Sequence, residues 1–205
     1  MTSFSSAIIE DIDDMRKRGL ASLAFFYHDF NDDRKRNLRG LVSSALVQLC
    51  HQSDSYSDLL SDFYSEHASG SQEPSDDELA KRLKDVLMVT GQAPVFLIVD
   101  ALDECSDTSD IPSPREEVLE FVEGLVKSRV PNLRICVTSR PEIDITTVLG
   151  RLTPRSVFIH NEKGQIEDIV NYIKSAVNED PKNRNWKPED KELVINALTT
   201  NANAM

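Results

Sequence analysis

A chain of 205 residues and 23.0 kDa has the length of one domain, or of one domain with an appendage, and at that mass about 70% of the unfolded surface is buried on folding, enough for a core without disulfides or metal. The net charge of −12, from 35 Asp and Glu against 23 Lys and Arg, argues against nucleic acid or an anionic membrane surface as a partner and leaves room only for a local basic site. Cys50, Cys105 and Cys136 form no CxxC pair and no Cys/His cluster, so neither a disulfide framework nor a zinc site is indicated, and the expected compartment is reducing.

The first residues, MTSFSSAIIEDIDDM, lack the basic and apolar regions of a secretory signal. No apolar run approaches a membrane span, so a cytoplasmic location is expected. Ile8, Ile9, Ile12 and Met15 predict a short helix close to the first residue, and Leu20–Tyr27 is an apolar run of strand length. Leu38, Leu41, Val42, Ala45, Leu46 and Leu49 then mark one face of an amphipathic helix. The acidic, Ser-rich stretch Ser53–Asp77 is the expected mobile excursion. Ser75 with Glu78 forms a capping box ahead of the stripe Leu79, Leu83, Val86 and Leu87. Val95–Val99 reads as a strand buried on both faces. Ser113, Pro114 and Glu116 open the next helix with an N-cap, a first-turn proline and a second capping box. Leu133–Thr138 and Ser156–His160 are the third and fourth strands. Two further helices follow, over Ile166–Val177 and after Pro188, with Trp186 expected to anchor the last.

Strands alternating with helices indicate an α/β fold with a mostly parallel sheet, whose ligands sit at the carboxyl ends of the strands. There the sequence places its most distinctive segment, PVFLIVDALDEC, Pro94–Cys105. Five apolar residues deliver Asp100 to the sheet edge, with Asp103 and Glu104 close behind. Carboxylates this near to one another are costly to remove from water unless a cation or proton neutralises them, and Mg²⁺ accepts one or two carboxylates plus water and phosphate. The bland alternative is a solvated acidic turn. The segment looks like a Walker B motif. A dehalogenase-type phosphatase would need its second Asp at the position of Leu102. The segment RICVTSRPE, Arg134–Glu142, is a second strand ending in Thr138, Ser139 and Arg140. Arg140 is placed either to meet a phosphate or to pair with a neighbouring carboxylate.

Together VFLIVDALDEC, the loop SDTSDIPSPREEV and LRICVTSRPEIDI resemble the NACHT NTPase domain of fungal STAND-type signalling proteins, often described as nephrocystin-like. The resemblance runs from SSAIIEDI, through LASLAFFYHDF, to the terminal KELVINALTTNANAM. It implies a P-loop NTPase-like three-layer fold, Mg²⁺ and ATP or GTP as ligands, Asp100 as the magnesium-associated acid, Asp103 and Glu104 as the catalytic acidic pair, and Arg140 with Thr138 on the nucleotide side. It also implies a core over residues 1–160 and a helical continuation over 161–205.

One departure is large. A phosphate loop needs G-x-x-x-x-G-K-[ST], so that backbone N–H groups wrap the phosphates. Here no two glycines are closer than 14 residues and no Gly-Lys dipeptide occurs. The expectation is therefore a truncated NACHT domain, lacking the first, central strand and the phosphate loop, and impaired in hydrolysis. The alternative is a non-enzymatic interaction module that self-associates or pairs with intact NACHT relatives through an incomplete sheet. The basic run Arg34, Lys35, Arg36 and Arg39 is interleaved with Asp32 and Asp33 and reads as self-neutralised. His28, His51, His67 and His160 share no ligand spacing, and Cys105 beside carboxylates is expected to be an inert thiol.

Overall fold

The computed structural model describes residues 2–67, 71–89, 93–107, 112–152, 155–157, 163–184 and 186–202. They fall into two units, 1–153 and 154–205. The first is an α/β unit around three parallel strands: β1 (Ser22–Tyr27), β2 (Val95–Asp100) and β3 (Leu133–Val137), in the order β1-β2-β3. The register pairs Ser22 with Val95 through Tyr27 with Asp100, and Val95 with Leu133 through Val99 with Val137. All three strands therefore end level, at one edge.

The pleat divides the apolar residues between two layers. Ala24, Phe26, Val95, Leu97, Val99, Leu133, Ile135 and Val137 face the larger layer. It is built from α2 (Leu38–Cys50), α3 (Asp54–Glu66), α4 (Asp76–Leu87), α5 (Pro114–Lys127) and α6 (Ile143–Leu152). Leu23, Phe25, Phe96, Ile98 and Cys136 face the other way, onto Ile8, Ile9, Ile12 and Met15 of α1 (Thr2–Lys17). Helices cover both faces, as parallel strands require. Both capping boxes form, at Ser75–Glu78 and Ser113–Glu116, and Pro114 opens α5.

Two expectations change. Within the stretch expected to be a mobile excursion, residues 54–66 are helical. Tyr56 and Phe63 are buried two turns apart, with Leu59 and Leu60 between them against the same core, and Arg82 stacks 4.9 Å from the Phe63 ring. Four apolar residues at helical spacing outweigh the surrounding Ser and Asp. The third strand is half-buried, with Arg134 exposed, and among the described residues it pairs only with β2. Of the expected fourth strand, Ser156 and Val157 carry no regular structure and residues 158–160 lie outside the described residues.

The second unit holds α7 (Lys163–Glu179) and α8 (Pro188–Ala202), joined through a 3₁₀ turn at Pro181–Asn183. Asn183 donates to the Val177 carbonyl and accepts from the Trp186 amide. Trp186, Lys174 and Ile195 line a cleft of about 640 Å³ between the two helices. Among the described residues, no helix is long and apolar enough to cross a membrane.

The start of α2 is the tightest backbone approach. Asn37 caps it by accepting from the Gly40 amide at 2.9 Å, which draws the preceding turn inward until a Cβ on Gly40 would collide with the Arg34 carbonyl oxygen. Gly40→Ala is expected to destabilise the protein by about 1–3 kcal/mol through this overpacking, read as a lower midpoint of urea unfolding with unchanged slope.

Candidate functional site

Because the strands end level, His28, Asp100 and Thr138 arrive together at the carboxyl edge. The pleat then sorts them. Asp100 continues the Phe96–Ile98 side and Thr138 the Cys136 side, so both face α1, whereas His28 follows Phe26 to the opposite layer.

Asp100 is 2% exposed. Its Oδ1 accepts from the hydroxyls of Ser5, on the first turns of α1, and of Thr138. Thr138 Oγ1 also accepts from the Ala101 amide at 3.1 Å. One hydroxyl proton is all it has, so that proton points at Asp100. Thr138 further donates its N–H to Val99 at 2.9 Å and accepts from Leu102 at 3.0 Å. Four hydrogen bonds thus tie one residue to the end of β2. Ala101 takes up the turn at φ 54°, a left-handed conformation that costs a residue with a Cβ about 1–2 kcal/mol.

After this turn the acids diverge. Asp103 accepts from the Arg140 backbone N–H at 2.9 Å and pairs with its Nε at 3.4 Å. Glu104 accepts from the Phe30 amide at 3.4 Å. Among the described residues, no three His, Cys, Asp or Glu side chains converge as a metal cage. Asp100 instead stands with two hydroxyl oxygens, an all-oxygen donor set that suits a hard cation completed by water and phosphate. The Arg140 side chain is 70% exposed while paired with Asp103.

Two residues in the surroundings take on more than their sequence context announces. Arg115 is 9% exposed, and its guanidinium donates to the Asp103 carbonyl at 2.8 Å and the Cys105 carbonyl at 3.3 Å while meeting Asp144 at 3.3 Å. It pins the loop after β2 to α5 and α6. The available signal was its position one turn before Val118, Leu119 and Val122, on the buried stripe of α5. His28, at the end of β1, is 3% exposed. Its Nδ1 donates to the Lys35 carbonyl at 3.0 Å, and among the described residues its Nε2 has no hydrogen-bond partner. Burial pushes its pKa down to about 4, against the opposing pull of the Lys35 carbonyl and the charges of Asp100 and Asp103.

The Cys105 thiol is raised as expected, but for a different first reason. Burial raises its thiol to about 12, with Arg115 pulling the other way and Glu117 adding only a small rise. The basic run is neutralised: Arg34 pairs with Asp32, Arg36 with Asp33, and Arg39 with Glu73 and Asp76. His51 and His67 each bond a carbonyl of their own helix and lie apart from the strand ends, whereas His160 is outside the described residues.

Thr138→Val keeps the shape and leaves Asp100 and the Ala101 amide each short of a partner. It should cost about 1–3 kcal/mol, measured by chemical denaturation. For His28, the unfolded chain takes up a proton near pH 6.5 and the folded chain only near 4. Stability therefore falls as pH drops through that window, by about 3 kcal/mol in all, and is flat on either side. His28→Gln should remove this part of the acid sensitivity, seen by comparing denaturation of both proteins at pH 7 and pH 4.5.

No curated protein and no solved structure matches the chain. A family model does, over residues 2–140, the span that carries Ser5, Asp100, Asp103, Glu104, Thr138 and Arg140. On that match the chain belongs to the family described as nephrocystin 3, N-terminal.

Proposed function

We propose that this chain is a nucleotide-associated module of a signal-transduction NTPase of the fungal STAND, NACHT type, acting in the cytoplasm with Mg²⁺ and ATP or GTP as its ligands. The observation that carries this reading is Asp100, a carboxylate 2% exposed at the carboxyl edge of a parallel sheet, with its Oδ1 fixed by the hydroxyls of Ser5 and Thr138. A side chain so oriented keeps its direction when a cation arrives, so little ordering entropy opposes binding. Asp100, with the hydroxyls of Ser5 and Thr138, would hold a magnesium ion, which would supply positive charge to offset that of phosphate. Arg140, at the mouth and largely exposed, would meet a phosphate by forked hydrogen bonds. Asp103 and Glu104, the acidic pair in the family pattern, hold Arg140 and the Phe30 amide in this state, and would orient an attacking water once those contacts exchange. Within these 205 residues no lysine sits in a glycine-rich loop, so turnover by this stretch alone is expected to be slow.

A second reading has one observation in its favour. Among the described residues β3 pairs with a strand on one side only, which fits an interaction module that joins an intact relative through that edge.

Thermal unfolding with added nucleotide separates the two. Mg-ATP or Mg-GTP should raise the midpoint, since ligand at 100 times its Kd adds about 2.7 kcal/mol, and Asp100→Asn should abolish the rise. No shift with either nucleotide at millimolar concentration would overturn the first reading. Co-migration with an intact NACHT chain would then support the second.

A further inference from the structure

The outer edge of β1 carries a feature that the nucleotide reading does not use. In a parallel ladder, alternate residues of a strand direct their N–H and C=O to the same side. Ser22 and His28 donate to Pro94 and Asp100 on the β2 side, so Leu23 and Phe25 present theirs outward. Both are taken by side chains at the end of α2, Gln48 in its last turn and Gln52 in the turn just past Cys50. The Leu23 amide donates to Gln52 Oε1 at 2.9 Å, and Gln52 Nε2 donates back to the Leu23 carbonyl at 2.6 Å. The Phe25 amide donates to Gln48 Oε1 at 3.0 Å, and Gln48 Nε2 returns to the Phe25 carbonyl at 2.7 Å.

The spacing explains why a helix can do this. Two residues of strand advance about 6.6 Å, and four residues of helix advance about 6 Å. Gln48 and Gln52 are four apart, and their order opposes that of Leu23 and Phe25, so α2 runs antiparallel to β1. A primary amide offers one acceptor and one donor side by side, as a peptide group does. Each second Nε2 proton is also used, by Ser44 Oγ for Gln48 and by the Gln48 carbonyl for Gln52, both at 2.8 Å. The network has no spare donor.

We propose that Gln48 and Gln52 are an edge guard, a surrogate strand occupying the backbone groups that the β1 edge of a second copy of this chain would otherwise pair with. The occupant follows from the strand itself. SLAFFY is six residues with three aromatics, no charge and no proline, the composition that pairs with copies of itself. Edge strands with open backbone groups are where such pairing begins.

The test uses the full chain with Gln48 and Gln52 both replaced by alanine, which retains helix propensity. At low concentration the Leu23 and Phe25 amides should exchange with solvent at least tenfold faster than in the parent. As concentration rises, the variant should sediment as dimers and larger species, with those amides protected again. Two controls separate loss of the guard from loss of stability. Gly40→Ala, destabilised at the start of α2 against the Arg34 carbonyl with both glutamines kept, should remain monomeric over the same range. Gln48→Glu with Gln52→Glu, which still accepts from both amides and adds charge to the edge, should also remain monomeric. The proposal is overturned if the alanine variant stays monomeric or exchanges like the parent at Leu23 and Phe25. It is equally overturned if either control associates to the same extent, or if the protection gained on association falls on residues 133–137 instead.

Discussion

The physical constraint on which this unit turns is the burial of one carboxylate. An Asp 2% exposed at the end of the central strand is tolerable only with good hydrogen bonds, because an unpaired buried charge costs far more than a domain can spare. The two hydroxyls that satisfy it come from opposite parts of the chain, Ser5 on α1 and Thr138 just past β3. Satisfying Asp100 therefore fixes the first turns of α1 over the strand ends and brings β3 to the same level as β2. The left-handed Ala101 follows from this. The chain must leave β2 sharply enough for its next amides to reach Thr138 Oγ1 and the Thr138 carbonyl. Strain at one residue is offset by bonds that hold the buried Asp100 side chain still.

The same economy of backbone partners governs the sheet's flanks. A three-stranded parallel sheet has two outer edges, and the structure treats them differently. The β1 edge is closed by the side-chain amides of Gln48 on α2 and Gln52 just past it, in four hydrogen bonds between 2.6 and 3.0 Å. The β3 edge borders no strand among the described residues. A sheet so finished can extend in one direction only, toward the side where Thr138 and Arg140 stand. Any strand added there would lie beside the candidate site rather than across the sheet from it. Edge closure and site position are thus consequences of the same strand order.

Much of this was legible in the sequence because the signals were strong and local. VFLIV could hardly be anything but a buried strand, and the two Ser-x-x-Glu boxes placed α4 and α5 to the residue. The parallel α/β class followed from the alternation. The helix at Asp54–Glu66 was hidden by composition: its stripe of Tyr56, Leu59, Leu60 and Phe63 is sound, but Ser and Asp between them read as loop. The helix at Ile143–Leu152 was hidden by β-branching. Ile143, Ile145, Thr146, Thr147 and Val148 have weak helix propensity, and tertiary packing of Ile145, with Val148 and Leu149, overrides it. At the site, proximity in sequence implied a cluster of three acids, whereas a single 3₁₀ turn sends Asp103 and Glu104 to different partners. The partners of Ser5 and Arg115 were not legible because they lie 95 residues away for Ser5 and 10 to 29 for the hydrogen bonds of Arg115. Only the fold brings them in.

That divergence of acids also resolves an electrostatic difficulty. A chain of net charge −12 should repel a polyanion, and a mouth lined by three free carboxylates would repel it most. Yet the acids near the strand ends have partners at short range: Asp100 two hydroxyl donors, Asp103 Arg140, Glu104 the Phe30 amide and Asp144 Arg115. Exposed charges further off than a Debye length of about 8 Å are largely screened at physiological salt, so the field felt at the mouth is set by these local pairs and not by the total. The guanidinium of Arg140, paired with Asp103, is largely exposed there. An acidic protein can in this way present a guanidinium at the carboxyl edge of its sheet, beside a buried Asp that already accepts from two hydroxyls.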